Sequence, residues 1–166
     1  YVGTVHSLES WAYKRALLLN QFCQYDFAFF GNSMWDNILE QFLELKKHFN
    51  KMNRSMSFEE LNLRQNCSKI YPIDANPGII NGIHARVFDA IGSQILPIVE
   101  FRQDMDSLFK DVNIPIFKTY SDASKLAEYY LRNDEKRCLL VKELHEFVFE
   151  NYTSDKCIKK ILEHIL

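Results

Sequence analysis

Short apolar runs alternate with amphipathic stretches over the first two thirds of the chain, and amphipathic stretches alone fill the last third. Residues 1–5, from Tyr1 to Val5, read as a core strand that feeds a glycine-containing loop. Ser7 or Ser10 can cap the helix that follows, because a short hydroxyl side chain satisfies a free amide at a helix start. Trp11, Leu18 and Phe22, with Leu17 and Leu19, supply the apolar face of that helix. Residues 26–31 run almost without polar interruption through Phe27, Phe29 and Phe30 to Gly31, as in a parallel strand buried on both faces. Asp36 is placed to cap a second helix, with Ile38, Phe42, Leu45 and Phe49 three and four apart and Leu39 and Leu43 beside them. Residues 51–56 are polar and have room for a short strand only. Ser57 precedes Glu60 by three, the spacing of a capping box, and opens a helix to about Asn66.

Residues 69–73 are the next strand, with Pro72 inside it. A turn at Asn76-Pro77-Gly78 leads to a helix beginning at about Ile83, where Ile83, Val87 and Ile91, with Phe88 and Ala90, follow helical spacing. A strand over 94–99, a short helix over 104–109 and an edge strand over 114–117 come next. From Ser121 onward everything is helical. One helix ends near Asn133, one is built on Leu140, Leu144, Phe147 and Val148, and one is opened by Ser154-Asp155 and built on Ile158, Ile161, Leu162 and Ile165.

Alternating βα units predict an α/β fold: a Rossmann-like three-layer α/β/α arrangement on a mainly parallel sheet, closed by the C-terminal helices. The 166 residues make one domain, 1–166, without internal repeat or linker. Ligands in such sheets bind beyond the carboxyl ends of the strands, where strand order reverses, so the loops after Val5 and after Asp74 are the expected crevice. Composition narrows this further. Five Gly and four Pro are too few turn residues for an all-β sandwich, and 47% hydrophobic residues exclude a disordered chain. The 14% of aromatic residues read as core. A net charge of -2 offers no footprint for general nucleic-acid binding. No apolar run is long enough to span a membrane, and no signal peptide opens the chain. Cys23, Cys67, Cys138 and Cys157 are widely spaced, without C-x-x-C pairs or grouped histidines, and read as small buried hydrophobes in a reducing cytoplasm. A chain that opens inside a strand reads as cut from something longer.

The stretch from Asn76 to Ser93 carries the most chemistry. A glycine-bearing loop opens a helix, and unpaired amides with the helix dipole at such an end favour an anion such as phosphate. Arg86 in the first turn can add a charged fork, and Asp89 one turn deeper can accept from a ribose diol. The competing reading is an ordinary amphipathic helix with Arg86 and Asp89 paired three apart.

Here the sequence resembles a known family. Gly82-Ile83, followed by Arg86-Val87-Phe88-Asp89-Ala90, is similar to the "G-I-N-x-R-x-F-E" segment of CgeB-like proteins, which belong with the group 1 glycosyltransferases of the GT-B fold. Tyr1 to Thr4 resembles the "F-V-G" strand that opens the C-terminal domain of these enzymes. Further matches follow in order: Phe29 to Gly31, Ser57 to Leu61 with Ser68 to Ile70, Phe101 to Asp104 with Leu108-Phe109, and the tail from Tyr120 to Asn151. The resemblance implies the nucleotide-sugar-binding half of a two-domain hexosyltransferase-type enzyme, acting in the cytoplasm on a surface polysaccharide, lipopolysaccharide or glycoprotein.

The resemblance also implies roles. Asp89 would hold the ribose hydroxyls and Asn81 would meet the donor sugar, although the family has the longer Glu where Asp89 stands and a carboxylate where Asn81 stands. Gly3 and Thr4 would line the diphosphate. Gly82, Ile83 and His84 would present backbone at the helix start, with Arg86 beside them, and Lys14 or Arg15 would supply the basic position after the first strand. Plainer roles stand beside these: Gly3 as a turn, His84 as a helix cap, Lys14 and Arg15 as solvated helix charges. The family has glycine where Gln94 stands. Neither a metal nor a cofactor is expected beyond the nucleotide-diphosphate sugar. Acceptor contacts and the general base would lie in an N-terminal domain outside this chain, which would also make any peripheral membrane contact, so the chain alone should bind nucleotide weakly and be inactive. The last helix should expose an apolar strip that promotes a dimer. The alternatives are a degenerate or regulatory α/β binding module without catalysis, favoured by Asn81 and Gln94, and a phosphoreceiver domain. The latter is disfavoured because no acid precedes Glu9 in the first loop.

Overall fold

The computed structural model describes residues 1–3 and 10–165. The expected strand at residues 1–5 is visible only to Gly3, where Val2 bridges Phe30 in parallel. Its continuation and the Ser7 cap lie outside the described residues. Helix α1 (Ser10–Asn20) leads to strand β1 (Phe29–Gly31), which pairs in parallel with β2 (Phe49–Lys51). The strands β3 (Ile70–Ile73), β4 (Leu96–Glu100) and β5 (Ile116–Phe117) form a second parallel set in the order β3-β4-β5. The Tyr1–Gly3 segment joins the two sets. Val2 pairs with β1, while the Tyr71 hydroxyl of β3 donates to the Val2 carbonyl at 3.1 Å and the Tyr1 and Tyr71 rings stack at 5.6 Å. Chain order therefore reverses between this segment and β3.

Helices cover the sheet as a Rossmann-like three-layer α/β/α fold. Leu18, Phe22, Ile98, Phe117, Ala123 and Ala127 form one core between α1, the sheet and α7 (Tyr120–Arg132). The larger core joins α1 and β1 to α5 (Arg86–Gly92) and α8 (Asp134–Asn151), with Leu140 and Leu144 buried as their spacing predicts. Burying apolar surface in this way is the main favourable term in folding. On α1 the buried positions are Ala12, Arg15, Ala16, Leu18 and Leu19, and Leu17 turns outward.

The single helix expected over 36–49 is instead α2 (Trp35–Leu39) and α3 (Leu43–Lys47), and Phe49 opens β2. Asp36 lies in the first turn of α2 rather than capping it. Helical spacing on Ile38, Leu39 and Leu45 is real, but ladder hydrogen bonds to β1 outweigh local periodicity at Phe49. The capping box on α4 (Phe58–Asn66) forms as read: Ser57 Oγ accepts from the Glu60 amide and Glu60 accepts from the Ser57 amide. Pro72 and Pro97 sit in β3 and β4 where, among the described residues, only one flank of the strand is paired, so their missing donors break no ladder.

Two further departures are informative. None of the cysteines is fully buried, and Cys67 and Cys138 are exposed, against the core role read for them; all four are free thiols. Cys67 caps the C-terminal end of α4, and Cys138 falls on the outer side of α8. Gln94 adopts φ 55°, the left-handed region that favours glycine. Replacing Gln94 by Gly should therefore raise stability by up to about 1 kcal/mol, read as a higher denaturant midpoint in urea. Helix α9 (Ser154–Ile165) has no buried residue. Lys156 bonds the Phe149 and Glu150 carbonyls and Lys160 lies over the Tyr152 ring, while Ile158, Ile161, Leu162 and Ile165 are 49–73% exposed. Among the described residues no helix is long and apolar enough to cross a membrane.

Candidate functional site at the strand ends

The chain leaves β3 at Asp74, an aspartate buried beyond the strand's carboxyl end. Charge at such depth is costly unless it is paired. Arg15 on α1 supplies the partner, with Nε 3.2 and 3.1 Å from the two carboxylate oxygens and both side chains 2% exposed. The Tyr1 hydroxyl reaches Asp74 Oδ1 at 3.4 Å. Arg86, at the start of α5, donates to the Tyr1 hydroxyl at 2.9 Å and stands 3.7 Å from the same carboxylate oxygen. Burial, followed by the Asp74 charge, pushes the Tyr1 phenol far above its ordinary range, so it stays a neutral hydrogen-bonding group.

A second cluster adjoins the first. Glu100, at the end of β4, accepts from the Ala75 amide at 2.9 Å and pairs with Lys14 at 2.8 Å. Lys14 also donates to the Ala75 carbonyl, and Arg102 stands 3.9 Å from Glu100 while donating to the Ile79 carbonyl at 3.1 Å. These contacts hold the loop between β3 and α5 against the end of β4. Beneath that loop, Asp74, Ile79, Ile83, His84 and Arg102 enclose a cavity of about 10 Å³, room for one water molecule at most.

The sequence-predicted residues fall into three groups. Arg15 and Arg86 converge on Asp74. They do so as a buried ion pair and as a half-buried fork, and Arg86 is turned to Tyr1 rather than paired with Asp89. Lys14, the alternative to Arg15, is engaged at the rim of the crevice rather than solvated. Gly3, Gly82, Ile83 and His84 lie around the crevice but serve local structure. Gly3 bonds Phe30 through its amide and accepts from the Trp35 indole at 2.9 Å. A side chain on Gly82 would meet Ile79 at 2.9 Å. His84 Nδ1 accepts from the Arg86 amide at 3.1 Å, so it acts as a cap, and burial, then Arg86, lowers its pKa from the ordinary imidazole value. Asn81 and Asp89 are exposed, and among the described residues no hydrogen bond or ion pair engages the Asp89 side chain. Thr4 lies outside the described residues.

Helix α5 starts at Arg86, three residues later than the sequence predicts. The amides of Arg86, Val87, Phe88 and Asp89 are bonded to His84 and Ala85. The first amides of α5 are thus satisfied within the chain, while among the described residues no bond engages the amides of Gly82, Ile83 and His84. Side-chain cations stand beside them.

Sequence reading missed Asp74, Glu100, Arg102 and Tyr1 as site residues. Asp74 and Glu100 each follow directly on, or end, a buried strand, a signal the sequence carried. A larger groove of about 620 Å³ lies beyond β4 and β5, lined by Phe101, Asp106, Lys118, Asp122 and Lys125 among others. Its two lysines match its two aspartates, so it has no surplus charge for an anion. Asp104 and Asp106 have Asp-x-Asp spacing, which sequence reading also passed over. They sit at the N-cap and in the first turn of α6 (Met105–Leu108), and among the described residues no group of three or more His, Cys, Asp or Glu could hold a metal.

Comparison with curated proteins finds no match. A family model described as glycosyl transferase-like matches residues 11–163, nearly all of the parallel-sheet fold and both charged clusters, and the chain belongs to that family.

Proposed function

We propose that the chain is the nucleotide-sugar-binding half of a two-domain GT-B glycosyltransferase related to CgeB-like proteins. It would present the donor for transfer of a hexosyl group to an acceptor hydroxyl on a surface polysaccharide, lipopolysaccharide or glycoprotein. The acceptor site and any general base belong to a second domain, and the exposed strip of α9 is the surface this reading reserves for it. The charge at the crevice carries the proposal. With Arg15 and Asp74 set aside as a matched pair, Lys14, Arg86 and Arg102 outnumber the one remaining carboxylate of the two clusters, Glu100, by two positive charges. The diphosphate of a sugar donor carries two negative charges and gains more as the sugar leaves. Fixed cations aimed at that developing charge lower the barrier, and the reading calls for no metal ion.

On this reading Arg86 and Lys14 meet the phosphates, Asn81 the sugar and Asp89 the ribose. Gly3, Thr4, Gly82, Ile83 and His84 shape the walls, and Arg15 acts through its pair with Asp74. The cavity of about 10 Å³ is far smaller than a nucleotide, so on this reading the donor lies outside it, against the partly exposed Arg86 and the exposed Asn81 and Asp89. Isothermal titration of the folded chain with a panel of nucleoside diphosphates tests the site. Arg86→Gln should weaken binding about tenfold or more, since a bond to a charged group contributes about 1.5–3 kcal/mol. Silence from every nucleoside diphosphate would overturn the assignment. A second reading, a binding module without catalysis, is favoured by the uncharged Asn81 and by an exposed Asp89 that no side-chain bond engages among the described residues. Unchanged transfer activity in a full-length Asp89→Ala enzyme would favour a scaffold role or a misplaced site.

A further inference from the structure

We infer that Asp74 is a positioning residue: through the Tyr1 hydroxyl, its buried carboxylate aims the Arg86 guanidinium into the crevice. The inference rests on the donor-site reading and adds how the site is held ready. Three segments that flank the crevice meet at this one side chain: Tyr1 before the first loop, Arg15 on α1 and Arg86 on α5. The order of contacts is directional. Arg15 takes both carboxylate oxygens at 3.2 and 3.1 Å, so Arg86 is held at 3.7 Å and bonds the phenol instead at 2.9 Å. The phenol is itself fixed, by stacking on Tyr71 and by its contact with Asp74 Oδ1. Arg86 stays 23% exposed while Arg15 is almost wholly enclosed. One guanidinium thus anchors the carboxylate and the other is presented to a ligand. A planar fork held in one orientation can meet two phosphate oxygens at once, which a freely rotating one does less often.

Charge alone predicts the opposite sign. Removing a carboxylate beside Arg86 makes the crevice more positive and should tighten every anion. Positioning predicts a selective loss for the diphosphate. The test uses uridine diphosphate and inorganic phosphate as probes, with titration calorimetry on wild type, Asp74→Asn, Tyr1→Phe, Arg86→Gln and the Tyr1→Phe/Arg86→Gln double variant. Tyr1→Phe keeps the ring stack and removes only the hydroxyl, so it serves where Asp74→Asn is too unstable to titrate. Tyr1→Phe and Asp74→Asn should each weaken the diphosphate about fivefold, the worth of one ordinary hydrogen bond, with phosphate affinity unchanged or raised. Adding Tyr1→Phe to Arg86→Gln should cost nothing more, because the hydroxyl acts through Arg86. Wild-type affinity in Tyr1→Phe, tighter diphosphate binding in Asp74→Asn, or additive losses in the double variant would each overturn the positioning role. A wild type that binds no diphosphate would instead overturn the donor-site reading beneath it.

Discussion

Asp74→Ala is expected to lower the free energy of unfolding by about 3–5 kcal/mol, the usual cost of breaking a buried ion pair from one side. The substitution strips a 2%-exposed guanidinium, Arg15, of its two carboxylate bonds and removes an acceptor from Tyr1. What destabilises is the buried cation left without its carboxylate more than the lost attraction. A second substitution separates the two causes. Arg15→Met combined with Asp74→Leu should recover most of the loss, because well-packed apolar groups commonly replace a buried pair at little cost. Urea unfolding followed by far-ultraviolet circular dichroism measures both. A mild effect of Asp74→Ala, below about 1 kcal/mol and so in the range of exposed pairs, would mean that water reaches Arg15. The double variant should also bind diphosphate more weakly despite its restored stability, since Asp74 would no longer hold the Tyr1 hydroxyl that positions Arg86.

Trp35→Ala should cost about 3–5 kcal/mol, the range for removing a large buried aromatic. Trp35 is fully buried, meets Phe29 edge to face at 4.7 Å and lies so close over Gly31 that a side chain there would overlap its ring. Its indole also donates to the Gly3 carbonyl at 2.9 Å. Trp35→Phe isolates that bond. It should cost about 1–3 kcal/mol, chiefly from leaving the Gly3 carbonyl unsatisfied in the core. Equal stability of Trp35→Phe and wild type would show that the carbonyl finds another partner. Because Gly3 lies on the segment at which the strand order reverses, both variants should also weaken diphosphate binding, Trp35→Phe less than Trp35→Ala.

Local rules carried much of this molecule. The βα alternation, the capping box at Ser57 and Glu60, the buried Leu140 and Leu144 and the outward strip on α9 follow from spacing and side-chain chemistry within a few residues. The glycine that the resembling family carries at position 94 fits the left-handed φ of 55° that Gln94 adopts. Errors arose where a neighbouring strand competed with local preference, as at Phe49, or where exposure depended on which side of a helix met the core, as for Leu17 and Cys138.

The site divides in the same way. Residue types and order along the chain were enough to single out Arg86, Lys14 and Arg15 as candidates, because loop, helix start and basic residues are local features. Only the closed tertiary structure decided which groups act together. Tyr1, Arg15, Asp74 and Arg86 come from four separate segments, and no periodicity links them. They meet because parallel strands carry their carboxyl ends to one edge, where burial makes an unpaired charge too costly to leave. That cost, set by three-dimensional packing, assigned Arg15 to Asp74 and left Arg86 on the Tyr1 hydroxyl, partly exposed.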